Sequence, residues 1–282
     1  MPWDCFRPAV LSASVAAALA GALPAQAQGR LDARYVVTLA GLPIGKGAWV
    51  IDIAEDQFTA AASGATTGLL QVFASGTGSG ASRGFVVSGK PAPASFASSV
   101  TTDRKTEEIR MTIVGGNVKD FAVTPPLTPS PERVPVTEAH RVGVNDPMTA
   151  TLIRVTGNGD PVRSEACQRV ISIFDGRLRY DLKLAFKRID RVKADKGYEG
   201  PAVVCSVQFA PIAGYVPSRA AIRYLIERRD IELWLAPIAA TRVVVPFRIS
   251  VPTPLGLGVL QATQFVAVAQ KPRAAATHPK TQ

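Results

Sequence analysis

Hydrophobic residues recur at every second position along much of this chain, the period of a strand with one buried face. The clearest case is 178–186. Leu178, Tyr180, Leu182, Leu184 and Phe186 alternate with Arg179, Asp181, Lys183 and Ala185. Asp175-Gly176 precedes them, and Val170, Ser172 and Phe174 lie on its far side, so 168–186 is predicted to be a β-hairpin. Trp49, Ile51 and Ile53 alternate in the same way with Val50 and Asp52. They predict a strand at 47–53, joined to another at 34–40 through Gly41-Leu42-Pro43-Ile44-Gly45. Further strands are expected at 85–88, 94–102, 107–114, around Val203, Cys205, Val207 and Phe209, and at 230–236, 242–251 and 258–268. Gly115-Gly116-Asn117 reads as a turn, and 187–197 as a solvated loop or strand end.

Helical signals are few. Asn145-Asp146-Pro147-Met148 offers an N-cap followed by a proline at the first helical position, with Gly157 beyond the end, and predicts a short helix up to Val155. Thr67 could cap another through Leu69, Leu70, Val72 and Phe73, ended by Gly76. A third is expected from Ser218, with Ile222, Leu225 and Ile226 at helical spacing. The stretch 124–136 holds five prolines and reads as an extended connector, either a loop within one domain or a linker between two. The same β pattern resumes beyond it, which favours one domain. The fold class is therefore mainly β, an antiparallel sheet with one solvated face and one to three short helices.

The first residues follow a different pattern. Arg7 precedes an uncharged apolar run over 9–23, Pro24 breaks it, and Ala25-Gln26-Ala27 suits signal-peptide cleavage after Ala27. The run is short of the ~20 residues of a membrane span. The chain thus divides into a signal peptide over 1–27, a β-rich domain over 28–270 and a disordered tail over 271–282. No transmembrane span is expected after cleavage, and the localisation is expected to be periplasmic.

Export changes the reading of the cysteines. Cys5 would leave with the signal, and Cys167 and Cys205 remain, 38 positions apart. In an oxidising compartment such a pair reads as one structural disulfide, with free thiols or a redox pair as alternatives. Closing that loop would stabilise the fold by about 4 kcal/mol in the chain-entropy model. The formal net charge is +10. Outside the cytoplasm it points away from nucleic acid and towards lipid headgroups or other envelope anions, or simply towards solubility.

Candidate chemistry is sparse. The chain has two histidines, His140 and His278. No ligand spacing suits a metal and no glycine-rich motif suits a cofactor, so neither is expected. Gly80-Ala81-Ser82-Arg83-Gly84 matches the G-x-S-x-G of hydrolases, with His140 as the one base within the folded part. However, it follows Ser75-Gly76-Thr77-Gly78-Ser79, which reads as a flexible loop and not as a strand leading into a nucleophile turn. No catalytic residues are assigned, and the chain is read as a non-enzymatic protein, with a hydrolase as the less favoured alternative.

Several short motifs, in order, resemble the bacterial domain-of-unknown-function family numbered 3108. They are Gly41-Leu42-Pro43-Ile44-Gly45, then Asn145-Asp146-Pro147, then Cys167 before Phe174-Asp175-Gly176, then Cys205. Ile231-Glu232-Leu233-Trp234-Leu235-Ala236-Pro237 and Val245-Pro246 complete the set. The resemblance spans about 33–268. It implies an exported envelope protein of a Gram-negative, alphaproteobacterial type, with an antiparallel β fold such as a curved half-barrel. It brings no catalytic residues. The family's Ser-x-Asp after the Trp-Leu element is replaced here by Ala236-Pro237-Ile238-Ala239, which removes the acid from that position. A one-faced apolar sheet with few helices must cover that face with itself, with helices or with a ligand. The leading expectation is a lipid or other apolar ligand in the concave face, with Trp49, Tyr180, Phe186 and Trp234 as pocket residues. The alternative is a structural or protein-interaction module of the envelope.

Overall fold

A computed structural model describes residues 28–67, 75–103 and 105–270. The expected signal segment, the tail and nearly all of the helix expected after Thr67 lie outside these residues. The strands are β1 (Gly29–Leu39), β2 (Leu42–Ile53), β3 (Gln57–Thr66), β4 (Gly76–Val87), β5 (Lys90–Thr102), β6 (Lys105–Val114) and β7 (Asn117–Thr124). They continue as β8 (Ile153–Arg154), β9 (Arg169–Phe174), β10 (Arg179–Lys193), β11 (Lys196–Gly197) and β12 (Glu199–Ala213). After the helix α1 (Ala220–Glu227) come β13 (Ile231–Pro237), β14 (Val243–Thr253) and β15 (Gly256–Ala269).

One antiparallel sheet runs through them in the order β7-β6-β5-β4-β3-β2-β1-β15-β14-β13-β12-β10-β9, with β8 attached to β14 and the short β11 lying parallel to β15. Two meanders therefore meet at β1 and β15, which pair from Gly29–Ala269 to Leu39–Gly258. The sheet curls without closing into a barrel, because no ladder joins its outer strands β7 and β9. Side chains meet there instead. The rings of Phe121 and Phe174 stand edge to face at 5.4 Å, and Arg177 pairs with Glu107 at 3.4 Å. Residues 143–146 lace the seam. Val144 N–H donates to Gly116 O, Asn145 N–H to Ser172 O, and Phe174 N–H back to Asn145 O.

The chain is long enough to bury three sizeable apolar clusters. The largest gathers Leu31, Ile51, Phe58, Phe247 and Phe265, each at most 1% exposed. Burying a side chain of that size is worth about 1.5–3 kcal/mol of transfer free energy. A second surrounds Cys167 and Cys205 with Val155, Val203, Leu235 and Val244. A third fills the seam, where Phe96, Met111 and Ile113 meet Val144 and Phe174 from the far edge.

Several expectations are corrected. The predicted helix over 146–155 is one 3-10 turn, Thr149–Thr151. Asp146 does accept from the N–H groups of Met148 and Thr149, as a cap should. Ile153 and Arg154 are then drawn into pairing with Val244 and Val243, and Val155 donates to Arg242 O, which ends the turn. The glycine- and serine-rich stretch before Gly84 is strand β4, paired along its length with β3 and β5. Residues 187–193 form the largely exposed end of β10, which is the strand-end alternative of that reading and not the loop. The 168–186 hairpin forms as expected, turning through 175–178 with Asp175 Oδ1 accepting from Arg177 and Leu178. The connector 125–136 carries no strand and crosses one end of the sheet, where Arg133 Nη1 donates to Gly214 O at 2.6 Å.

Candidate functional site

Ser82, the serine of the G-x-S-x-G match, lies inside the wrap in the middle of β4 and is 2% exposed. Its hydroxyl donates to Asp146 Oδ2 at 3.0 Å and lies 2.9 Å from Thr149 Oγ1. Thr149 Oγ1 in turn donates to the same carboxylate oxygen at 2.6 Å. Asp146 is completely buried, and desolvation holds its carboxyl above the ordinary value of 3.8 despite these donors. His140 belongs elsewhere. Its Nδ1 accepts from Thr137 N–H at 3.0 Å. The serine thus has a carboxyl group and a threonine for neighbours, and no histidine among the described residues stands beside it. The cluster satisfies buried polar groups and joins β4 to the seam. Gly84 owes its identity to the same packing. A Cβ there would sit 2.0 Å from Ala92 O and 2.8 Å from Phe58 Cε1.

The four aromatic residues expected at a pocket are not brought together. Trp49 is packed in the largest cluster, and its indole N–H meets no acceptor among the described residues. Trp234 packs on Ala202 and Val204. The Arg188 and Arg248 guanidinium groups lie 5.5 and 4.9 Å from its ring centre, and its Nε1–H donates to Asp190 at 2.8 Å. Tyr180 leans on Phe209, and Phe186 is 42% exposed on β10. Large aromatics are the side chains that fill cores, and Trp49 and Trp234, both buried, are spent in that way. Cys167 and Cys205 form a disulfide, both wholly buried. Among the described residues no group of three or more His, Cys, Asp or Glu could hold a metal ion.

Two depressions stand out among the described residues. An open trough of about 670 Å³ crosses β3 to β7, floored by Ala61, Ala81, Ala97 and Ala122 and edged by Arg83 and Arg110. Both arginines are engaged, Arg83 with Ser95 Oγ at 3.1 Å and Arg110 with Glu108 at 3.5 Å. A second groove, of about 610 Å³, opens where β1, β2, β14 and β15 end, and its walls are Val37, Leu39, Ile44, Ile249, Val251 and Leu260. Its origin can be read in the register. Gly258 stands between Leu39 and Val251, and Gly45 lies beside Val37, so the row of side chains is interrupted twice. Thr253 reaches this groove, but its hydroxyl is spent on Gly256 O at 2.7 Å. Leu255 (77% exposed) stands at the mouth, and Leu42 (65%) and Leu257 (44%) are exposed on the turns outside it. Sequence reasoning missed this site because its walls are aliphatic. Its sequence signal was the absence of any charge over 35–45 and 249–270.

No helix among the described residues is long and apolar enough to cross a membrane. Among solved structures the chain is similar to a beta-barrel-like protein of domain-of-unknown-function family DUF1849 from Brucella abortus, at 10% identity, over 86% of this chain and 98% of that one, with a TM-score of 0.45. No curated protein matches it. The model of the family described as protein of unknown function (DUF3108) matches residues 34–263, most of the chain, and the chain belongs to that family.

Proposed function

We propose that this is an exported, non-enzymatic envelope protein that holds the apolar part of an amphipathic lipid. The site is the groove between the ends of the β1–β2 and β14–β15 hairpins, and not an aromatic pocket in the hollow of the sheet. One observation carries the reading: a cavity of about 610 Å³ whose walls are aliphatic and whose mouth is open. Ligand pockets are typically concave, largely apolar and a few hundred Å³ or more in volume. The signal-like N-terminus and the buried disulfide support export. The burial of Ser82 in the middle of β4, away from any nucleophile turn and with its hydroxyl engaged by Asp146 and Thr149, supports binding over hydrolysis.

Native mass spectrometry of protein purified without detergent tests the reading, together with titration by a fluorescent fatty-acid probe. A bound mass that solvent extraction identifies as lipid is expected, and so is a saturable probe signal. Ile44→Trp, which fills the groove from β2, should abolish the signal while leaving the unfolding transition in place. A bare mass with no saturable probe binding would overturn the reading and favour a scaffold or protein-interaction role.

A further inference from the structure

The groove opens at one end of the sheet, and that end has an unusual surface. Hairpin turns ordinarily take Gly, Asn, Asp and Ser, whose backbones and side chains suit tight reversals in water. Here the two turns run Ala40-Gly41-Leu42-Pro43 and Thr253-Pro254-Leu255-Gly256-Leu257, with no charged residue over 35–45 or 249–270. They lie side by side, Ala40 N–H donating to Leu257 O at 3.0 Å. Leu255 is the most exposed large apolar residue among those described, at 77%, and Leu42 follows it at 65%.

Cations stand at the same end of the sheet. In register Glu232 faces Ser250, and Ser250 faces Val259, so β13 begins at the end of the sheet where β14 turns into β15. The connection from β12 to β13 therefore lies at that end, and it contains α1. Its Leu225 packs on the disulfide cluster, as does the groove residue Val251. Residues 219–230 carry four arginines against Glu227 and Asp230. Arg219, Arg223 and Arg229 are exposed, Arg228 stacks on Tyr224 at 4.4 Å, and none of the four makes an ion pair among the described residues.

We infer that this end of the molecule docks on an anionic lipid bilayer, with Leu42, Leu255 and Leu257 entering the acyl boundary and the arginines of 219–229 meeting lipid phosphates. The inference builds on the groove reading, since docking in this orientation presents the groove mouth to the membrane. Apolar tips and unpaired cations at one end of the molecule match the layering of an interface, with acyl chains inside and phosphates outside. The protein as a whole adds a net charge of +10.

The test is co-sedimentation of the full chain with vesicles of phosphatidylcholine alone and of phosphatidylcholine mixed with phosphatidylglycerol. Binding to the mixed vesicles is expected, weakening as salt is raised. Leu42→Ser/Leu257→Ser should lower partitioning at least about ten-fold through lost apolar burial. Arg219→Gln/Arg223→Gln should remove most of the preference for phosphatidylglycerol and most of the salt dependence. All of these proteins share residues 1–27, so the differences report on the tips and α1. None of the four substituted residues lines the groove, so both variants should bind the fatty-acid probe in vesicle-free buffer as the parent does. Docking without probe binding would sink the groove reading alone. Probe binding with no vesicle binding, or with both variants partitioning like the parent, would overturn the docking. So would lipid-independent self-association that Leu42→Ser/Leu257→Ser abolishes, which would make the surface a protein interface.

Discussion

Ser82 and Asp146, 64 positions apart, share a 3.0 Å hydrogen bond that ties the middle of β4 to the segment lacing the sheet's two edges. Asp146 accepts from two hydroxyls and two backbone N–H groups while wholly buried. Removing the acceptor leaves the Met148 and Thr149 N–H groups without it, and leaves the two hydroxyls with only each other and Ser95 O. Asp146→Ala should therefore cost about 2–4 kcal/mol in urea unfolding, and Ser82→Ala about 1 kcal/mol.

The same carboxyl fixes a pH dependence. Burial raises its folded-state value above the ordinary 3.8, so in the window just above 3.8 the folded protein holds a proton that the unfolded chain has lost. Its contribution to stability is then fully present at low pH and declines as pH rises through the folded-state value. Asp146→Asn has no such proton. Its stability relative to the parent should rise from pH 4 to pH 7, as read by urea midpoints, and a difference that stays flat over that range would contradict this account.

Glu232 predicts the opposite slope. Hydrogen bonds from Arg188 at 3.0 and 3.1 Å, and one from Lys187, hold its carboxyl down to about 2 from an ordinary 4.5. Its stabilisation is present above 4.5 and is lost as pH falls towards 2. Arg188 is 38% exposed, so solvent screens the pair. Glu232→Gln should cost about 1 kcal/mol at neutral pH, and the cost should vanish near pH 2 in thermal melts.

Gly84 is a steric requirement. A methyl group there would enter the Ala92 carbonyl and the Phe58 ring at once. Gly84→Ala should cost about 1–3 kcal/mol, as overpacking does, and lower the thermal midpoint. Gly80→Ala, where the nearest atoms are the Met148 sulfur at 3.4 Å and a carbonyl at 3.6 Å, should cost little. The contrast separates a packing glycine from a nucleophile turn, in which both glycines would matter for activity.

The sheet was legible wherever large apolar residues alternate, as at Trp49–Ile53 and Leu178–Phe186. β3 and β4 were not, because Ala, Ser, Gly and Thr carry almost no period, and their strand state comes from pairing with neighbours. The Asn145-Asp146-Pro147 signal was a true cap read as too long a helix, since the pull of β14 on Ile153 and Arg154 is tertiary. The cysteine pair was readable from the expectation of export, which takes away Cys5 and leaves Cys167 and Cys205. The aromatic pocket was not realised because rings such as those of Trp49 and Trp234 are consumed in packing. The groove arises from two gaps, Gly45 and Gly258, whose alignment across strands shows only in the register, so that the uncharged stretches 35–45 and 249–270 were its one trace in the sequence.

β1 lies between β2 and β15, so the first described strand is finished only by the last. A chain still emerging, or cut before Gly256, leaves the edges of both β1 and β14 bare, each a row of unsatisfied donors and acceptors open to the wrong strand. Assembly of this molecule therefore waits on its final fourteen-residue strand, which makes folding a slow, end-to-end closure. Even a nonsense mutation as late as Gly256 would therefore remove the strand that joins the two meanders.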